Sequence, residues 1–207
     1  MSVRDSLFAM TYDWQIARSE EAGLHAMRQR LLAGAAGEVL EVGAGTGANL
    51  PCYGRAVVSL TVTEPVVPMM RRLERRVSDR AVAAKVLRAP AEDLPFDNDT
   101  FDVAVSTLVL CGVDDQPRAL RELRRVLRPG GRLLFLEHVR SDDPALARLQ
   151  DRLNWLNRIV VRCDCNRPTL TTIKQAGFTV ASLERTALPK APKYVGLAII
   201  GAATKPA

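Results

Sequence analysis

The chain has 207 residues, enough for one domain with a substantial core and a small covering segment. Hydrophobic residues at 47% and charged residues at 25% fit a folded globular protein and exclude a disordered or fibrous chain. The formal net charge of +6 rests mainly on arginine, much of it in "RRLERRVSDR" (Arg71–Arg80) and "RALRELRRVLR" (Arg118–Arg128). Both keep Leu or Val at helical spacing and read as amphipathic helices with a solvated basic face; without interleaved aromatics or a known module, nucleic acid is not an expected partner.

Taken in chain order, Tyr12, Asp13 and Trp14 precede a helix predicted over 14–33, with Ile16, Leu24, Met27, Leu31 and Leu32 on one side. From Glu38 the pattern alternates between strand and helix. "EVLEVG", "VVSLTVTE", "AKVLRA", "FDVAVST" and "GRLLFLEHV" read as strands, with helical segments between them near 47–53, 66–80 and 115–128. This alternation predicts an α/β sheet, mostly parallel and covered on both faces. "RPGG" (Arg128–Gly131) supplies a helix stop and a turn before the fifth strand. A long helix is expected from Pro144 to Val161 and a short one over 169–176, stopped by Gly177. The last strands, "FTVASLERTAL" and "YVGLAIIGAAT", have only a loop between them, so they pair as a hairpin or through a looped connection. No linker divides the chain. One domain is expected over 1–207, with 1–35 as a helical lid region and 36–207 as a Rossmann-like core.

The four cysteines (Cys52, Cys111, Cys163, Cys165) are too scattered for a disulfide framework, which points to a reduced, cytoplasmic setting. No apolar stretch is long enough to span a bilayer. "CDC" (Cys163–Cys165) has no His or paired-Cys motif beside it to complete a four-ligand set, so no metal is expected, and Cys111 reads as a small apolar filler.

"EVGAGTGANL" carries the first chemistry. Gly43, Gly45 and Ala48 fit G-x-G-x-x-A, a dinucleotide loop; Gly43, Gly45 and Gly47 fit G-x-G-x-G, a turn used for S-adenosylmethionine. Either way, glycine lets the backbone bend sharply and present amides to a ligand. Glu64 follows at the end of the second strand, about twenty residues on, where a carboxylate takes ribose hydroxyls. Glu41 weighs on the choice. A carboxylate just before the loop disfavours a pyrophosphate and suits a ligand that carries an ammonium and a sulfonium. His138, at the C-terminal end of the fifth strand, is the candidate general base, with a loop-capping role as the alternative; Glu137 faces the other way. Tyr12 and Trp14 either fold over the cofactor or pack against the core.

In order, "VLEVGAGTGANL", "VTEP", "APAEDLPFDNDTFDVAVSTLVLCGV", "ALRELRRVLRPGGRLLFLEHV" and "TTIKQAGF" resemble the class I S-adenosylmethionine-dependent methyltransferases. "STLVLCGV", "LEHV" and "CNRPTLTTIKQAGF" look most like the group containing thiol S-methyltransferases. The resemblance implies a seven-stranded Rossmann-like sheet with an antiparallel last strand, S-adenosylmethionine as cofactor and S-adenosylhomocysteine as product. It implies that Gly43, Ala44, Gly45, Thr46 and Gly47 wrap the methionine and ribose, and that Glu64 holds the ribose with Pro65 and Met69 beside the adenine. Ala91 and Glu92 would face the adenine edge, Thr107 and Leu108 the methionine end, and Tyr12 would lie in the lid. Pro90 stands where many relatives carry Asp or Asn, so adenine recognition shifts toward backbone and Glu92.

The expected activity is methyl transfer to a small-molecule acceptor by in-line displacement. A thiol is slightly favoured; phenolic, amine, lipid or quinone-type acceptors are the alternatives. The readings from other classes are a nicotinamide-dependent oxidoreductase and a noncatalytic cofactor-binding protein.

Overall fold

The computed structural model describes residues 3–79 and 83–207, so Arg80, the end of one predicted helix, lies outside the described residues. Seven strands form one sheet in the order β3-β2-β1-β4-β5-β7-β6. They are β1 (Gly37–Val42), β2 (Val57–Thr63), β3 (Ala84–Leu87), β4 (Phe101–Thr107), β5 (Leu127–His138), β6 (Thr179–Ala187) and β7 (Leu197–Thr204). The first five pair in parallel, and β7 runs antiparallel between β5 and β6. The antiparallel ending expected of the chain is therefore present.

The helices are α1 (Val3–Ser19), α2 (His25–Leu32), α3 (Val67–Asp79), α4 (Gln116–Val126), α5 (Pro144–Val160), α6 (Thr169–Gln175) and α7 (Lys193–Gly196). Central strands alternate which face each apolar residue serves, so both faces of the sheet are sealed. Leu40, Val42, Ala104, Leu133 and Phe135 pack with Leu120 and Leu123 of α4 and Ile173 of α6. Val39, Val103, Val105, Leu134 and Leu136 pack on the other face with Leu31 and Leu32 of α2 and Leu73 of α3. Parallel strands covered on both sides read as near-continuous apolar runs, which is why their positions were readable from composition alone.

Five local expectations change. "RPGG" lies within β5 instead of forming a turn before it, with Gly130 at φ 77° and a register shift against β4 marking the irregularity. The connection between the last two strands, expected to be only a loop, holds the short helix α7, which takes Tyr194, Val195 and Gly196 out of the expected last strand. The helix predicted over 14–33 begins at Val3 and is interrupted by a π-helical turn at Glu20–Leu24, where Gly23 has φ 132°. The segment 47–53 is a set of turns with a short 3-10 helix at Leu50–Cys52, in place of an α-helix. Gly47 at φ 89° breaks the right-handed path, and Pro51 brings no N–H for an intrahelical bond. The basic helix faces are also less solvated than expected. Arg76 and Arg72 bind Asp13 of α1, and Arg125 reaches Glu122 and the carbonyls of Leu94 and Phe96.

The β5–β7–β6 junction leaves no space at Gly201. A Cβ there would run into the Ser182 carbonyl oxygen and stand 3.0 Å from the Phe135 ring. Gly201→Ala is expected to cost about 1–3 kcal/mol, the usual penalty for overpacking. Urea denaturation checks it: a midpoint unchanged from wild type would contradict the packing described.

Candidate active site

The strand order reverses between β1 and β4, and open α/β sheets bind ligands outside the carboxyl ends of strands at such a point. A cavity of about 630 Å³ opens there, within the range of small-molecule sites. Its floor is the turn after β1. Gly43 takes φ 57°, and a Cβ there would stand 2.6 Å from Val109 Cγ1, so the β1 turn and the loop after β4 can approach this closely only with glycine.

Glu64, just beyond β2, fastens the glycine turn. Gly45 N–H donates to Oε2 at 2.9 Å and Val66 N–H to Oε1 at 2.9 Å. Burial pushes its pKa up, and those two amide bonds partly hold it down. Pro65, Met69, Ala91 and Glu92 line the same end of the cavity, together with Pro90. Glu92 Oε1 also accepts from Asp114 N–H at 2.8 Å, which ties the loop before α4 to the cavity wall. Tyr12 and Leu108 line it too; burial raises the Tyr12 phenol to about 12. Leu108 takes φ 60° without being glycine, strain of the kind that collects at ligand sites.

The segment before β1 covers the glycine turn. Thr46 Oγ1 donates to Asp13 Oδ1 at 2.6 Å, and Arg76 donates to Asp13 Oδ2 at 2.6 Å. Tyr12 thereby meets the cavity, whereas Trp14 is 80% exposed and does not pack against the core.

Six of the residues singled out from the sequence do not line the cavity: Glu41, Ala44, Thr46, Gly47, Thr107 and His138. Ala44 and Gly47 shape the turn through backbone bonds, Ala44 N–H to Thr63 O and Gly47 N–H to Ala44 O, each 2.9 Å. Glu41 lies beneath the turn: Asn49 Nδ2 donates to Oε1 at 2.9 Å and Tyr53 Oη to Oε2 at 2.7 Å. Burial raises the Glu41 pKa against these two bonds. Arg28 completes that network, giving hydrogen bonds to Glu20, Asn49 Oδ1 and Thr107 Oγ1 while only 3% exposed. Sequence reading passed over it, because one arginine in a polar helix carries no sign that it will be buried.

The far end of the cavity is lined by Cys111, Cys163 and the arginines Arg158, Arg162 and Arg167. Asp164 N–H donates to Cys111 O at 2.8 Å, fastening the segment after α5 onto the loop after β4. Hydrogen bonding from Cys111, with help from His138, draws the Cys163 thiol below the usual thiol range despite burial, while Cys111 is held well above it. His138 stands behind these cysteines, its Nδ1 2.7 Å from the Val195 carbonyl oxygen. Glu137 does face another way: its Oε1 accepts from Ser106 Oγ at 2.6 Å and Val109 N–H at 3.1 Å.

Among the described residues, no helix is long and apolar enough to cross a membrane. A family model described as a methyltransferase domain matches residues 40–135. The chain is 34% identical to thiol S-methyltransferase TMT1B of Homo sapiens over 182 residues, covering 84% of this chain and 74% of that protein. It is 30% identical to phosphatidylethanolamine N-methyltransferase of Cereibacter sphaeroides over 156 residues, covering 71% and 76% respectively. Among solved structures, the N-methyltransferase NodS from Bradyrhizobium japonicum in complex with S-adenosyl-L-homocysteine matches the fold with a TM-score of 0.64 at 19% identity, covering 88% of this chain and 86% of that one.

Proposed function

The chain belongs to the class I S-adenosylmethionine-dependent methyltransferases, and on that premise we propose that it methylates a small-molecule thiol held at the cysteine end of the cavity. The cofactor supplies an activated methyl group on a sulfonium. Glu64 takes the ribose hydroxyls, with Pro65 and Met69 beside the adenine and Ala91 and Glu92 at its edge. Gly43 and Gly45 let the methionine portion lie against the backbone, with Leu108 beyond. Pro90 lines this end without a side-chain donor or acceptor, so the adenine amine is met by Glu92 or by backbone. Ala44, Gly47 and Thr46 act through the turn, and Glu41 and Thr107 through the Arg28 network.

The observation that carries the thiol reading is the cationic rim. Arg158, Arg162 and Arg167 line the cavity beside the two cysteines together with Asp164, which pairs with Arg158 at 3.5 Å and Arg167 at 2.7 Å; three cations beside one carboxylate favour an anionic thiolate over a protonated amine. The human relative named a thiol S-methyltransferase agrees with this choice. Methyl displacement onto a thiolate needs alignment and exclusion of water more than a strong base. His138 therefore serves through the cysteines in front of it and makes no direct contact with the acceptor.

A labelled-methyl transfer screen over small thiols, phenols, amines and quinone precursors tests the proposal. Thiols are expected to be the labelled class. Label on an amine or a quinone precursor, with none on any thiol, would overturn it.

A further inference from the structure

Sequence spacing offered no metal set, yet the fold assembles one from three distant segments. Cys111 lies in the loop after β4, His138 at the end of β5 and Cys163 after α5. All three are buried, and their Sγ and imidazole nitrogen atoms lie within 4.8 Å of one another. We propose that Cys111, His138 and Cys163 form a zinc site whose fourth position faces the cavity and binds the sulfur of the acceptor thiol. The proposal deepens the thiol reading above and rests on it for the identity of the fourth ligand.

Three observations support it. Tetrahedral zinc has Zn–S of about 2.3 Å and Zn–N of about 2.0 Å, so its ligand atoms stand roughly 3.5–3.8 Å apart, a spacing the cluster reaches with small side-chain movements. The imidazole is already oriented. The Val195 carbonyl can only accept, so Nδ1 at 2.7 Å carries a hydrogen, and loss of the other ring proton on metal binding leaves Nε2 as the ligand atom, the second-sphere arrangement that zinc-binding histidines use. The geometry is also open on one side: Cys111 and Cys163 line the cavity, while His138 enters from the sheet behind them. Three protein ligands with a free fourth position is the pattern of a reactive zinc, as opposed to a structural one.

The ligand chemistry selects the ion. Two thiolates and an imidazole form a soft set that suits zinc and does not suit magnesium or calcium. Two thiolates neutralise the charge of the dication, so burial of the loaded site is not opposed by a net charge. Binding an acceptor thiolate adds one negative charge, which the excess of arginines over Asp164 at this end of the cavity offsets. The frame is stiff as well. Thr169 Oγ1 donates to the His138 carbonyl at 3.0 Å, and Asp164 N–H holds Cys111 O.

In the reaction the acceptor thiol binds the metal and gives its proton to water. Its sulfur attacks the methyl carbon and forms the new S–CH3 bond. The bond from that carbon to the sulfonium sulfur breaks, and its electron pair stays on the departing sulfur as a thioether. The methylated product is also a neutral thioether, a weaker zinc ligand than a thiolate, and is released.

Cobalt(II) titration of the purified full-length protein tests the site without relying on turnover. Wild type is expected to bind one equivalent with the thiolate-to-cobalt charge-transfer absorption of a tetrahedral sulfur site, and zinc is expected to displace it. Cys111→Ser and Cys163→Ser should each lose that absorption; Cys165→Ser, whose sulfur bonds Asn157 Nδ2 at 3.0 Å outside the cluster, should retain it. S-adenosylmethionine calorimetry on every variant separates loss of the site from loss of the fold. Absence of the charge-transfer band in wild type, its survival in Cys111→Ser/Cys163→Ser, or a Cys111–Cys163 disulfide in freshly purified protein would overturn the metal site. If the band is present and no thiol accepts a methyl group, the thiol reading fails while the metal site stands. Zinc-loaded protein should methylate thiols at least tenfold faster than chelator-stripped protein; equal rates would overturn the catalytic role.

Discussion

Glu64→Ala is expected to weaken S-adenosylmethionine binding by roughly a hundredfold or more. A charge-assisted hydrogen bond contributes about 1.5–3 kcal/mol, and a ribose offers two hydroxyls to one carboxylate, which sets that scale. The structure adds a second loss. Without the carboxylate, the Gly45 and Val66 amides, each 2.9 Å from it, lose their partner, and the glycine turn keeps only the Ala44 N–H bond to Thr63 O as its hydrogen-bonded tie to β2. Glu64→Gln separates the two effects. The amide oxygen can still accept from one backbone N–H, so the turn should hold while ribose binding still falls. Calorimetry with S-adenosylmethionine and S-adenosylhomocysteine measures both variants. An affinity within twofold of wild type for Glu64→Ala would remove the ribose assignment.

Arg28→Met is expected to destabilise the protein by about 3 kcal/mol, near the lower end of what breaking a buried ionic network costs. Methionine keeps most of the volume, so the loss reads the polar network and only slightly the packing. Arg28 gives hydrogen bonds of 3.0 Å to Glu20 and Asn49 and 2.9 Å to Thr107, and Asn49 in turn supports Glu41. Its removal leaves Glu20 without its cation and exposes the buried Glu41 carboxylate to a less favourable field. For a domain of this size, that corresponds to a fall in Tm of roughly 6–12 °C. Differential scanning calorimetry reads it directly, and a shift under 2 °C would contradict the network. Because Thr107 ends β4 beside the cavity, cofactor affinity should fall as well, though less than in Glu64→Ala.

These two residues divide what could be read from the chain and what could not. Glu64 was legible, since a carboxylate ending the second strand after a glycine turn is a local pattern with one geometric outcome. The central strands were legible for a similar reason: burial on both faces demands apolar runs such as "FDVAVST", and β4 occupies those seven residues. Arg28 and Asn49 were not, because they meet each other across 21 positions and Thr107 across 79 and 58, and nothing local distinguishes a buried arginine from a solvated one. The Cys111–His138–Cys163 cluster was hidden likewise. Metal motifs are recognised by short spacings, and here 27 and 25 positions separate successive members. Glu41 illustrates a different limit: its charge was placed near the cofactor by sequence proximity, but strand alternation turned the side chain beneath the loop and into the Arg28 network. Position along a chain predicts distance from a ligand only when the direction of the side chain is known too.

The antiparallel insertion of β7 has a consequence for how the enzyme comes into being. The glycine turn, Glu64 and the wall behind them belong to β1, β2 and β4, all of which precede residue 108 in the chain. The ring of His138 waits for the last part of the chain to be made. His138 pairs across to Ala198, and its Nδ1 is oriented by Val195, both some sixty residues downstream. During synthesis the amino-terminal part of a domain is available to fold before the rest exists. The glycine turn and Glu64 are therefore in place before the strand that orients the His138 ring has been made. The carboxy-terminal strands therefore bear on the site indirectly, through the orientation of the His138 ring, and not as part of the cavity wall.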